Sequence, residues 1–408
     1  MSKAPRSPFF WLMLGGSVVL TLSLGIRHGF GLFLAPMSTD LGWGRETFAL
    51  AIAVQNLLWG LVQPITGAFA DRFGIKPVVM VSGLLYALGL LLMGMTNSPL
   101  SLTLSTGILI GLALSGTSFS VILGAIGRAA PPEKRSSAMG IASAAGSFGQ
   151  FVMLPGTLGL IEGLGWSAAL FALAALSLLI LPFASIMKSS TPAEASQHQT
   201  HTPSPTLRQV LAEAARHSDF WLLCFGFFVC GFQVVFIGIH LPSYLIDQQL
   251  PPQTGTTVLA LVGLFNIFGT YGAGRLGERY SKPQLLAGLY LLRAVVIGAF
   301  ILLPVTQASA YGFGIGMGLL WLSTVPLTNG IVASVFGVRN LSMLGGIVFL
   351  FHQLGSFLGG WLGGYLYDQT GSYDLVWQIS LLLCFVAALL NWPIAERPLA
   401  RPPVVSPL

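Results

Sequence analysis

The sequence predicts an all-α membrane protein of twelve transmembrane helices arranged as two six-helix bundles. Three observations lead there. The 408-residue chain is 54% hydrophobic and only 8% charged, whereas soluble domains carry about 25% charged residues. Apolar runs long enough to cross a bilayer core, roughly 20 residues each, recur twelve times. A polar turn between two of them, Gly67-Ala68-Phe69-Ala70-Asp71-Arg72-Phe73-Gly74-Ile75-Lys76-Pro77, has a weaker copy at Gly274–Pro283, about 207 residues later. A repeated loop at one place in two halves of a membrane chain is the mark of an internal duplication.

The runs fall in order at about 10–36, 47–69, 77–97, 100–127, 137–160 and 166–187, then about 217–245, 256–276, 283–304, 309–333, 341–367 and 374–395. The third and fourth are parted only by Asn97-Ser98-Pro99, a turn signal. Six spans precede a polar stretch and six follow it. The organisation expected is an N-terminal bundle at 1–187, a flexible linker at 188–216 and a C-terminal bundle at 217–408. Span 1 closes with Pro36 and span 7 with Pro242, 206 residues apart. Gly140 and Gly149 of span 5 likewise match Gly346 and Gly355 of span 11.

Charge sets the orientation. Of 19 lysines and arginines, all but Arg27, Arg45, Arg275 and Arg293 fall on the side of the termini and the linker. Positive residues mark the cytoplasmic side, so both termini and the linker are expected there. The net charge of +6 then has a topological origin and asks for no nucleic-acid partner. Cys224, Cys230 and Cys384 all lie in apolar runs, an odd set without metal spacing. There is no phosphate-binding Gly-x4-Gly-Lys-Ser/Thr loop, no His-x3-His and no buried acid pair. The reading is therefore not an enzyme, with no cofactor and no metal.

The six-plus-six spans, the central loop and the Gly67–Pro77 turn between spans 2 and 3 resemble the major facilitator superfamily. The turn looks like that superfamily's signature, with Ile75 where a basic residue is usual. Within it the chain looks most like bacterial relatives of monocarboxylate transporters and oxalate/formate exchangers. The pieces are Arg27-His28-Gly29-Phe30-Gly31 with Pro36, Gly42-Trp43, and His352-Gln353-Leu354-Gly355-Ser356. Monocarboxylate carriers place an arginine well inside span 8. Here Asn266 stands in that span, Thr270 follows one turn on, and Arg275 lies near the inner end. The resemblance implies the major facilitator fold, alternating access and a bacterial cytoplasmic membrane.

Charge at bilayer depth costs at least about 2.5 kcal/mol and usually serves a function. The deep titratable residues are Arg27 and His28 in span 1, His240 in span 7, Arg293 in span 9 and His352 in span 11. No carboxylate lies deep in any span. Asp40, Glu46, Glu162, Asp247, Asp368 and Asp374 are near outer ends. A cationic interior suits a small organic anion, whose carboxylate accepts a bidentate arginine. Arg27 leads as substrate residue; the competing reading is that it snorkels or caps carbonyls. His28, His240 and His352 are candidates for substrate or for a coupled proton, against plain interhelical hydrogen bonds. Gln55 and Asn266 are carried as ligands; Asn56, Ser115, Thr117, Ser118, Thr328 and Asn329 are left as scaffold. Arg293, on a span peripheral in the resembled fold, is expected to be structural.

The repeated turn is read as a conformational latch made of Gly67, Asp71, Arg72 and Gly74, with Glu278 and Arg279 in the copy. The competing reading is a plain turn that fixes topology. The expected function is transport of a small monocarboxylate-like anion by a monomer, with protons as an additional partner. The alternative is an exporter of a toxic or amphipathic compound.

Overall fold

A computed structural model describes residues 8–130, 135–187, 207–336 and 341–397. Twelve helices in it are long and apolar enough to cross a membrane: Pro8–His28, Arg45–Ala70, Ile75–Gly94, Pro99–Ile126, Gly140–Leu164, Trp166–Ser185, Ser218–Asp247, Pro252–Gly277, Lys282–Leu302, Gln307–Phe336, Leu344–Thr370 and Asp374–Asn391. These are spans 1 to 12 below. Among the described residues there is no strand. Helices alone suit a bilayer, because their backbone groups pair within the element.

Four spans expected as single runs are interrupted, span 6 only by a turn at Leu178 and Leu179. Span 1 stops at His28, turns at Gly29 and Phe30, and resumes as Gly31–Leu41. The turn is made of tight bonds such as Phe30 N to Arg27 O at 3.2 Å and Leu32 N to Gly29 O at 3.0 Å. Span 4 loosens into a π-helical stretch at Thr103–Leu109 and breaks at Ser118, whose backbone is extended. Span 10 breaks between Leu320 and Thr324. Backbone groups freed inside a membrane must find other partners. Near Ser118 one such partner is a side chain, Ser23 Oγ donating to Thr117 O at 2.9 Å, while Trp59 Nε1 holds the Ser118 hydroxyl at 3.0 Å. The break in span 10 is held by Arg293 and Asn266, described below. A further difference is Leu207–Arg216, a helix where the sequence reading has linker. Its Ala214 is buried in the same apolar cluster as Phe220 and Phe336.

The duplication is visible in the packing. A Cβ on Gly149 of span 5 would strike Thr21 O of span 1, and one on Gly355 of span 11 would strike Phe228 O of span 7. The two glycines are 206 residues apart and the two carbonyls 207. Close approach through small residues is how helices pack in lipid, where no hydrophobic force drives them together.

Besides the close contact of Gly31 with Gly238 O of span 7, the halves meet along two seams. One is span 2 against span 11, where Gly364 sits on Ala49 and the backbone of Arg45 and Glu46. The other is span 5 against span 8, where Gln150 Nε2 donates to Leu259 O at 3.0 Å. At the end of the molecule that carries Gly74 and Lys282, each half has an apolar cluster of its own, one around Ile75, Ile122 and Ile180 and one around Phe220, Leu327 and Val335. Toward the opposite end, called here the Arg45 face, the clusters are shared. Val235 and Ile239 pack with Phe30 and Phe33, and Leu32 and Leu154 pack with Phe236 and Leu241.

Candidate functional site

Arg27 lies in the last turn of helix Pro8–His28, just before the break in span 1. Its Nη2 donates to Asn56 Oδ1 at 3.4 Å, and its guanidinium faces the Phe30 ring at 5.5 Å. Asn56 is fixed by its own bond from Nδ2 to Ile52 O at 2.8 Å. Arg27 is 8% exposed and its Nε has no partner. Among the described residues no carboxylate pairs with it. The carbonyl end of its helix offsets part of the charge, since a helix C-terminus is the negative pole. The remainder is available to an anion. His28 does not share this site: its Nδ1 is 2.6 Å from Leu24 O, one turn back on its own helix.

The other sequence candidates are spread around the centre rather than gathered on Arg27. Gln55 is fully buried against span 4, with Nε2 donating to Thr106 O at 2.8 Å and Oε1 left unpartnered. Asn266 braces the break in span 10: its Oδ1 accepts from Leu322 N at 3.0 Å and Thr270 Oγ1 at 3.0 Å, while Nδ2 reaches Ser147 Oγ of span 5 at 3.3 Å. His352 stacks on Phe349 with centroids 5.6 Å apart and lies 4.8 Å from the Phe227 ring. Phe349 in turn meets Trp59 of span 2 at 5.9 Å. These rings join spans 2, 7 and 11. Arg293 caps the first half of span 10, donating to Leu320 O at 2.7 Å, to Trp321 O, and to Gln233 Oε1 at 3.0 Å.

His240 belongs to the Arg45 face. Its Nδ1 is 3.1 Å from Tyr373 Oη and its Nε2 is 2.8 Å from Gly360 O. Tyr373 Oη accepts from Arg45 Nη1 at 3.0 Å. Arg45 makes a bidentate pair with Asp247, both bonds 2.7 Å, and its guanidinium lies 3.9 Å above the Tyr367 ring. Asp368 accepts from the backbone N–H of Arg45 at 2.9 Å and of Glu46 at 2.8 Å. That carboxylate caps the N-terminus of span 2, where the helix dipole favours negative charge. Trp361 Nε1 adds a bond to Glu46 Oε1 at 2.9 Å. On this face the first half is thus clasped to the second by Arg45, by the capped start of span 2 and by Gln253 Nε2 donating to Glu162 Oε1 at 2.6 Å. Sequence reasoning missed Arg45, Tyr373, Asp247 and Asp368 as a set. The signal was present: Arg45 is the lone base among six acids at the outer ends.

The latch residues sit differently in the two copies. Gly74 has φ 87°, a conformation that favours glycine, and joins spans 2 and 3 directly. The side chains of Asp71 and Arg72 lie outside the described residues, and a Cβ on Gly67 would meet nothing. In the copy, Glu278 pairs with Arg275 at 3.7 Å on the surface, and Arg279 is exposed. The interaction that ties this copy down was not foreseen. Lys282 pairs with Glu396 through its Nζ, and its backbone N–H donates to the same carboxylate at 3.2 Å. Ser334 Oγ adds a bond at 3.0 Å. Burial would raise the Glu396 carboxyl, but Lys282 and Ser334 hold it below the usual range.

A duplicated bundle of twelve spans, with broken helices and buried polar groups between its halves, is the architecture of a membrane transporter. The family model of the Major Facilitator Superfamily matches residues 13–326, and the chain belongs to that superfamily. It is 26% identical to mouse monocarboxylate transporter 11 over 94% of this chain and 87% of the relative. Rat monocarboxylate transporter 13 is also 26% identical, over 96% and 91%. The MFS-type transporter YcxA of Bacillus subtilis is 23% identical, over 96% of both chains. The chain is thus a transporter-family protein and not an enzyme.

Proposed function

We propose that the protein carries a small organic anion of monocarboxylate type across the bacterial cytoplasmic membrane by alternating access of its two halves. The observation that supports this most is Arg27, a buried guanidinium with one long hydrogen bond, an idle Nε and no carboxylate partner. A carboxylate there would complete a charge-assisted pair. The names of the mammalian relatives agree with that substrate class. The basic face, with the Gly74 and Lys282 turns, is cytoplasmic on this reading, and the Arg45 face is outside. Proton coupling belongs to the same reading, with His352, at the junction of spans 2, 7 and 11, as its candidate residue.

The test is thermal stabilisation of the purified protein by small monocarboxylates, organic cations and neutral solutes. Carboxylates at about a hundred times Kd would stabilise by about 2.7 kcal/mol, and Arg27→Ala would abolish the shift. Equal stabilisation of the Arg27→Ala variant, or stabilisation by cations alone, would contradict the reading. For the proton, an uptake rate flat from about pH 5 to 8 would count against coupling, since a histidine titrates in that range.

A further inference from the structure

The clasp on the Arg45 face continues inward as a chain of hydrogen bonds with a fixed direction. His240 Nε2 lies 2.8 Å from Gly360 O. A carbonyl oxygen only accepts, so this nitrogen carries the ring proton, and Nδ1 of the neutral ring is an acceptor. The group 3.1 Å from Nδ1 is the Tyr373 hydroxyl, which therefore donates. Burial pushes the Tyr373 phenol well above its ordinary range despite the nearby Arg45, so it keeps the proton it donates. The phenol oxygen accepts from Arg45 Nη1 at 3.0 Å, and that guanidinium holds Asp247. Each group from Asp247 to Gly360 acts in the only sense its chemistry allows.

A second proton on the ring reverses one link. Nδ1 becomes a donor, Tyr373 O–H loses its acceptor, and a second positive charge stands one phenol away from Arg45. Nothing nearby absorbs that charge. The titratable and charged groups around the ring are Arg45 of span 2, Tyr367 of span 11, Tyr373 before span 12, and Tyr244 and Asp247 on its own helix. Asp247 is already bidentate on Arg45, Asp368 is bound to the start of span 2, and Glu46 of span 2 accepts from Trp361 of span 11. Span 11 otherwise meets the ring with Gly360 and Gly363. Asp374 is at the exposed start of span 12, and Asp40 of the segment Gly31–Leu41 is bonded to Trp166.

We propose that His240 is a pH sensor for a gate on the Arg45 face, its protonation reversing the Tyr373 link and weakening the Arg45 clasp. The ring is fully buried while the gate is closed, so it takes up a proton only when the gate opens, and closing requires its release. By linkage, acid favours the open gate. His240 is a positioning residue here, acting through Tyr373, and not a substrate ligand. The inference rests on the alternating-access reading.

The experiment is a spin-label distance measurement between Thr39→Cys and Gln369→Cys, exposed positions at the Arg45-face ends of the first and eleventh spans. The full-length protein in lipid nanodiscs is compared at about pH 8 and about pH 5, on either side of an ordinary histidine. One short distance should dominate at the higher pH. A longer population should grow at least roughly fivefold in acid, a factor well within a histidine-linked shift. Tyr373→Phe keeps the Arg45–Asp247 pair and the buried ring but removes the phenol that joins them, so its pH response should be weaker than that of the wild type. His240→Gln has no ring to protonate, so its distances should not respond to pH. A wild-type distribution unchanged by pH, or a full response retained in His240→Gln, would overturn the proposal. The anion reading is scored separately by carboxylate stabilisation at constant pH, so either can fail while the other stands.

Discussion

Arg27 and Arg293 are both buried guanidinium groups without a carboxylate partner among the described residues, yet their surroundings give them opposite roles. Arg293 spends its donors on Leu320 O, Trp321 O and Gln233 Oε1, with Cys230 Sγ at 3.6 Å. Removing it leaves several buried acceptors unpaired, each bond to a charged group being worth about 1.5–3 kcal/mol. Arg293→Met should therefore lower stability by about 3 kcal/mol or more, read as a fall in thermal midpoint. Arg27→Met should cost less than about 1 kcal/mol, because it discards a charge the protein has not satisfied. A larger loss for Arg27 than for Arg293 would reverse the assignment. The sequence separated the two through the family resemblance, since both read as lone arginines in apolar runs. What it did not offer was Asn56, one of several polar residues with nothing to distinguish it. Glu396 gives a pH test. Its carboxyl is held low by Lys282 and Ser334, so its stabilising effect is complete above the ordinary value of 4.5 and is lost as pH falls through the lowered one. Glu396→Gln should cost about 1 kcal/mol at neutral pH, and much less at pH near 3.

Span 11 carries most of the burden among the elements. Gly355, Gly359 and Gly363 recur every fourth residue and face Phe228 O, Phe232 O and the His240 ring of span 7. Gly364, one position on, faces span 2. A branched side chain at Gly359 would force these helices apart. Gly359→Val should destabilise by about 1–3 kcal/mol, whereas Gly288→Val, where nothing lies within 4 Å, should leave the melting midpoint unchanged. An equal drop for both would show that the close approach is not what holds the pair. The apolar runs made every span legible, because length and hydropathy are properties of composition. The interruptions were barely legible. Ser118 lies in the small polar run at 115–120, and Pro326 follows the break after Leu320, but such residues also occur in unbroken membrane helices, and the broken backbone is sustained by side chains from other spans. Gly29-Phe30-Gly31 gave the clearest local hint. The short helix Leu207–Arg216 was hidden for the opposite reason: its charges and its place after Pro203 read as linker.

The molecule as a whole is closed at one end. Toward the Arg45 face the apolar clusters are shared between halves and the clasp ties span 2 to spans 7 and 11. Toward the basic face each half keeps a cluster of its own. On the proposed orientation the closed end is outside, and a reporter fused after Arg397 should then report the cytoplasmic side. The clasp was half visible in the sequence as one arginine among six acids, but pairing residues more than 200 positions apart needs the fold. If Arg27 receives the anion, uptake of a radiolabelled small monocarboxylate into proteoliposomes depends on it, measured for wild type beside Arg27→Ala with folding of both confirmed by thermal midpoint. Wild-type uptake should be saturable and should fall at least about tenfold in the variant, the equivalent of one charge-assisted bond. Undiminished uptake by a folded Arg27→Ala protein would contradict that role for Arg27.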